Sequence, residues 1–309
     1  SETEIKSLLE HYQNGRYDDA ERLAKSITQQ FPEHQFAWKV LGTLFRQSGR
    51  ISEAANAEQT AVALSPHDAQ AHGNLGNTLR ELGRLEEAEA CYAKTITLKP
   101  DLVEAHYNLG NTLRELGRYD EAVASYMQAI ALKPDYAEAH SNLGSSLQRL
   151  GRLNEAEAHL RQAIALKPDY AEVHNNLGTT LQELGRLDEA EASLRKSIAL
   201  KPHYEEAHHN LGIRLEELGR FEEAEASYIR AIELKPDYAE AHNRLLMCLY
   251  LLDKQSLFFD KLDYLINENT ANATIGSLTC RSALKYGVEK PNLFCREPLQ
   301  YVLHIDMNT

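Results

Sequence analysis

Cysteine is scarce and scattered. Cys91, Cys248, Cys280 and Cys295 lie far apart with no C-x-x-C pair, which speaks against a zinc knuckle or a disulfide framework and makes a reducing, cytoplasmic setting the expectation. Positive charge is also in short supply. Against 46 Asp+Glu stand 33 Lys+Arg, a formal net charge of −13, and that balance opposes the counterion release that drives nucleic-acid binding and the attraction to anionic lipid. Neither nucleic acid nor a membrane is an expected partner. No run approaches the roughly 20 apolar residues of a membrane span, and the opening Ser1-Glu2-Thr3-Glu4 is acidic, unlike a signal peptide. A chain that starts on Ser is expected to be cut from something longer or processed. What is present, 43% hydrophobic and 26% charged residues over 309, is a folding composition and excludes disorder throughout.

Glycine and proline are few but ordered. Pro32, Pro66, Pro100, Pro134, Pro168, Pro202 and Pro236 stand 34 residues apart, as do Gly15, Gly49, Gly83, Gly117, Gly151, Gly185 and Gly219, and Ala20, Ala54, Ala88, Ala122, Ala156, Ala190 and Ala224. A fixed period of this size means one supersecondary unit stacked many times, each burying its apolar face on its neighbours. Positions are numbered from 1 in each unit below. An Asp-x-x-Glu over positions 33 to 2, as in Asp101 to Glu104 and Asp135 to Glu138, predicts a capping box at the start of helix A. Gly15 and its equivalents predict a left-handed end to helix A, acidic pairs such as Glu86-Glu87 suit the start of helix B, and Lys133-Pro134 and its equivalents close it.

With Gly42, Gly76, Gly110, Gly144, Gly178 and Gly212 at position 8 and Trp38 at position 4, the pattern resembles the tetratricopeptide repeat. The resemblance covers 1–238 as seven units, with a degenerate capping pair at 239–269 that has Leu246 and Asp253 in place of the two glycines. It implies an all-α, right-handed solenoid of antiparallel helix pairs whose A helices line a concave groove.

At 100° per residue, positions 4, 7, 8 and 11 of helix A form a packing face and positions 2, 6, 9 and 13 a polar groove wall. Position 4 carries His72, His106, His140, His174, His208 and His242. These read as semi-buried aromatic spacers with one satisfied nitrogen, the alternative being a metal or proton-switch role. Position 6 carries Asn74, Asn108, Asn142, Asn176 and Asn210, and position 9 adds Asn77 and Asn111. Amides at regular spacing can pair with successive peptide groups of an extended chain; bonds between adjacent A helices are the alternative. A comparable asparagine ladder characterises the tetratricopeptide superhelix of O-linked N-acetylglucosamine transferases, which this array resembles. Position 12 runs Arg46, Arg80, Arg114, Gln148, Gln182, Glu216 at the groove's edge. Arg80 and Arg114 join the candidate peptide contacts. The carboxylate clamp of chaperone-binding relatives is absent, with Thr43 and Tyr107 where it needs Asn and a basic residue. Position 16 is Arg in all seven units, reading as a dipole-favoured turn residue or a phosphate rim.

After about Thr270 the period stops. Leu299, Tyr301, Leu303, Ile305 and Met307 alternate as in a strand. Residues 270–309 resemble the start of a 2-oxoglutarate/iron(II) oxygenase domain, in which His304 and Asp306 would be two iron ligands, but the third is missing. No nucleophile, base and orienter assemble elsewhere, so the chain is expected to be no enzyme and to need no cofactor. The expected function is a scaffold binding an extended protein or peptide in its asparagine-lined groove, as the substrate-recruiting arm of a larger enzyme. A self-assembling scaffold, associating through the tail, is the alternative.

Overall fold

The computed structural model describes residues 2–267 and 273–288. Among them all regular structure is helical, in seventeen helices. The successive hairpins are α1 (Glu2–Gln13) with α2 (Tyr17–Gln30), α3 (Gln35–Gln47) with α4 (Ile51–Leu64), α5 (Ala69–Glu81) with α6 (Leu85–Leu98), and α7 (Val103–Glu115) with α8 (Tyr119–Leu132). They continue with α9 (Ala137–Arg149) and α10 (Leu153–Leu166), α11 (Ala171–Glu183) and α12 (Leu187–Leu200), then α13 (Glu205–Glu217) and α14 (Phe221–Leu234). A last pair, α15 (Ala239–Leu251) and α16 (Gln255–Asn267), precedes α17 (Ala273–Tyr286). The chain divides into two compact units, 1–166 and 167–309.

Each hairpin turns on one residue in the left-handed region. Gly49, for instance, has φ +76°, which only glycine adopts without strain. In the last pair Asp253 takes the same conformation at φ 58° and the turn survives. The position-20 alanines of the ladder are all fully buried where helix B meets helix A. In the first unit Leu41, Leu44, Leu79, Leu113, Leu143 and Leu147 line the core between hairpins.

The capping boxes do not form. Helices α7, α9, α11 and α15 begin one residue later than the pattern predicts, with Leu102, Tyr136, Tyr170 and Tyr238 at the N-cap and no side-chain cap bond. The acids at position 33 therefore sit too early to reach the free N–H groups. At the start of α5 Asp68 does supply a carboxylate cap, accepting from Gln70 and Ala71. What fixes the other entries is position 4. Trp38 Nε1 donates to the Pro32 carbonyl, and each of the six histidines bonds through Nε2 to the proline carbonyl six residues before it, at 2.7–3.1 Å throughout. The ring thus straps the start of helix A to the end of the preceding helix B. The spacer reading of the histidines is the geometry found. Burial holds His208 and His242 below their ordinary pKa, so in these two straps a neutral imidazole donates its Nε2–H. His106→Phe is expected to cost about 1 kcal/mol in urea unfolding while His106→Trp, which copies the strap of Trp38, is near neutral. Equal losses in the two variants would remove the strap as an explanation.

The second unit ends in a cap larger than the expected helix pair. Helix α17 packs on α15 and α16, placing Ile275 and Leu278 in one cluster with Phe258, Leu262 and Leu265. The strand expected over Leu299 to Met307, with His304 and Asp306, lies outside the described residues.

Candidate functional site: the amide face of the A helices

Helices α5, α7 and α9 of the first unit present their position-6 and position-9 amides in a row, and the rungs are tied to one another. Asn108 Nδ2 donates to Asn77 Oδ1 at 3.1 Å, and Asn142 Nδ2 donates to Asn111 Oδ1 at 2.9 Å and to the Tyr107 hydroxyl at 3.1 Å. From below, the helix-B tyrosines complete each rung: Tyr92 and Tyr126 donate their hydroxyls to Asn77 and Asn111 at 2.7 and 2.8 Å. Burial pushes both phenols far above their ordinary pKa, so they remain donors at any ordinary pH. Asn111 is 6% exposed and forms the floor, not the wall, of this face. Asn74, Asn77, Asn108 and Asn142 are half-buried. Asn74 has no side-chain hydrogen bond among the described residues.

In the second unit the pattern shifts. Asn210 Nδ2 donates to Asn175 Oδ1, a position-5 amide that is 1% exposed, at 2.9 Å. Asn176 is half-buried and engaged as well. Position 9 becomes Thr179, whose hydroxyl returns to the Asn176 carbonyl at 2.9 Å, as Ser145 in the first unit returns to Ser141 at 3.1 Å. The residue beneath changes in step, with Leu160 and Leu194 where Tyr92 and Tyr126 stand in other repeats. An asparagine at position 9 is matched by a tyrosine hydroxyl, and a self-bonded Ser or Thr by a leucine. That matching is a sequence signal the groove-wall reading passed over, because the two positions lie 15 residues apart on different helices.

The charged edge is largely spent. Arg80 meets Glu115 at 3.5 Å, Gln182 donates to Glu217 at 2.7 Å, and Glu216 accepts from Tyr228 and Arg244. Arg114 lies against Tyr126, its Nε buried without a partner. Lys39 is held by Asp68 at 2.7 Å; against the cost of burial, that ammonium and the Gln35 amide bring the Asp68 carboxyl down to about 2. Six of the seven position-16 arginines are committed to carboxylates: Arg84, Arg118, Arg152, Arg186 and Arg220 fork onto the glutamate three residues on, and Arg50 onto Glu21 of the preceding repeat. Arg118 and Arg220 also reach Glu89 and Glu191 of the preceding repeat.

Helix hairpins on a 34-residue period, closed by small residues and presenting a polar A-helix face, define a tetratricopeptide-repeat protein, a class of helical solenoid that serves as a protein-binding scaffold. Within that class the chain belongs to the family described as Cilia and flagella-associated protein 70 C-terminal domain, whose profile matches residues 58–257, while 7–69 match a tetratricopeptide-repeat profile. Among solved structures it is similar to MamA at 29% identity, with TM-score 0.50 over 54% of this chain and 97% of that one. It is likewise similar to YrrB, described as a TPR protein with an unusual peptide-binding site, at 27% identity and TM-score 0.51 over 60% of this chain and 96% of YrrB. PilF of Pseudomonas aeruginosa shares the fold, at 18% identity and TM-score 0.61 over 69% of this chain and 97% of PilF. No curated protein matches the sequence. No helix among the described residues is long and apolar enough to cross a membrane.

Proposed function

We propose that the amide face binds an extended segment of another protein, with Asn74, Asn108, Asn142, Asn176 and Asn210 pairing with its peptide groups. The observation that carries this is the cross-bonding of the rungs. Because Asn108 and Asn142 each spend Nδ2 on a neighbour, their side chains are held in one orientation, and their side-chain Oδ1 atoms have no partner among the described residues. Fixed polar groups at a regular repeat suit a partner with its own regular row of donors and lose little entropy on binding it. Arg80 and Arg114 would flank the bound chain. The peptide-binding site ascribed to YrrB lends the reading a precedent within the fold. The role as recruiting arm of a larger enzyme belongs to the same proposal: it rests on the resemblance to O-linked N-acetylglucosamine transferases and on that of 270–309 to a 2-oxoglutarate/iron(II) oxygenase.

Unstructured peptides selected from a displayed library on the full chain provide the test. The selected peptides are expected to bind the Asn108→Ala/Asn142→Ala/Asn176→Ala variant about a hundred-fold more weakly, three lost bonds at roughly 1 kcal/mol each. Circular dichroism confirms that the variant is folded. Affinity retained by a folded variant would overturn the proposal.

A further inference from the structure

One rung departs from the repeat on the opposite side of helix A. Position 23, on helix B, is Leu23, Ala57, Cys91, Ser125, Ser193, Ser227 and Lys261 in the other repeats, but His159 on α10. It lies against His140, with ring centroids 5.3 Å apart and the two Nδ1 atoms separated by 3.1 Å. His140 is strapped through Nε2 to the Pro134 carbonyl at 3.1 Å. A carbonyl can only accept, so Nε2 carries the hydrogen and the neutral ring presents a lone pair at Nδ1. A backbone carbonyl fixing the tautomer of an imidazole is the support that histidine ligands use. His140 is 6% exposed, His159 is half-buried and reaches solvent, and Glu155 lies one turn before it, exposed and forked by Arg152.

We propose that His140 and His159 form a two-imidazole site for a divalent late transition-metal ion of tetragonal preference, Ni2+ or Cu2+. Two nitrogens 3.1 Å apart, each roughly 2.1 Å from a metal, subtend about 95° at it, near the right angle of adjacent tetragonal ligands and well short of the tetrahedral angle zinc prefers. Turning the half-exposed His159 side chain, so that its Nδ1 lone pair faces the ion beside that of His140, completes the pair. His140 gives up no proton. His159 moves its hydrogen from Nδ1 to Nε2, a tautomer exchange with no net release. No three metal-ligating side chains converge among the described residues, so water completes the coordination.

Calorimetric titration of the full chain with NiCl2 tests the site. Two variants keep the fold in view: His159→Ser installs the residue that Ser125, Ser193 and Ser227 supply at this position, and His140→Trp preserves the strap as Trp38 does. A saturable one-to-one site is expected in the native chain, weakened about ten-fold or more in both variants, with the metal-free melt of His159→Ser unchanged. The Cu2+ electron paramagnetic resonance spectrum should show coupling to two equatorial nitrogens. If His159→Ser binds Ni2+ as tightly as the native chain, the ion belongs to other histidines and the proposal fails.

Discussion

Replacing Glu58 by leucine is expected to stabilise the first unit by about 2–3 kcal/mol at neutral pH. Glu58 occupies position 24, the place taken by Tyr92, Tyr126, Leu160, Leu194 and Tyr228 elsewhere, and is 2% exposed. Both carboxylate oxygens are buried without a hydrogen-bond partner, as is the nearby Thr78 hydroxyl. Desolvation raises the Glu58 pKa, against weaker opposing pulls from Thr78 and Arg46. The matching between positions 9 and 24 names the replacement: Thr43 at position 9 returns its hydroxyl to Lys39, the arrangement that goes with leucine beneath. The sign of the pH dependence follows. A raised carboxyl pKa means that the unfolded chain loses its proton first, so native stability falls as pH rises from the ordinary glutamate value to the raised one, then levels off. Below the ordinary value the penalty from charge is absent. The gain in Glu58→Leu, read from urea midpoints at pH 4 and pH 7, should therefore be larger at pH 7. A gain that is absent, or larger at pH 4, would show that Glu58 has a partner not evident in the packing.

Gly110→Ala should lose about 3 kcal/mol. A Cβ on Gly110 would lie 2.6 Å from Cε1 and 2.7 Å from Cδ1 of Tyr126. That ring has nowhere to go: it is fully buried and its hydroxyl is anchored on Asn111. The internal control is Gly73, also in the body of an A helix, where a Cβ would meet nothing nearer than Thr95 at 3.8 Å. Gly73→Ala should stabilise by roughly 0.5–1 kcal/mol, since alanine loses less backbone freedom on folding. Thermal melts of the two variants moving in the same direction would contradict the close-approach account.

The helical class and the hairpins were legible in the sequence because each ladder marks a local backbone demand. A left-handed turn asks for Gly49, and a close helix approach asks for Gly110 and Ala122. Such demands repeat with the period and need no knowledge of distant partners. The strap was half legible: a satisfied histidine nitrogen could be expected, while the proline carbonyl that satisfies it could not. The helix starts were misplaced by one residue because Asp101 and Asp135 mimic a capping box that His106 and His140 make unnecessary. The amide face was harder still. The wheel sets Asn111 on a polar side, and only the presence of Tyr126 under it and Asn142 beside it shows that it is buried. Helix α17 carries no period at all, and its place in the cap depends on what Phe258 and Leu262 leave uncovered.

The strap has a kinetic consequence. Each one joins residues only six apart, the hairpin turns are equally short, and the bonds between rungs link neighbouring repeats. Nothing among these contacts has to wait for remote parts of the chain to meet, so the loop-closure entropy that slows non-local folds is small here. A repeat can therefore close on its own strap and recruit its neighbour, and the array can grow from more than one starting point. The same locality governs opening. Amide hydrogen exchange should be graded along the chain, slower where Tyr126, Asn111 and Asn142 bind three helices together than beside Glu58, where no such bond is made.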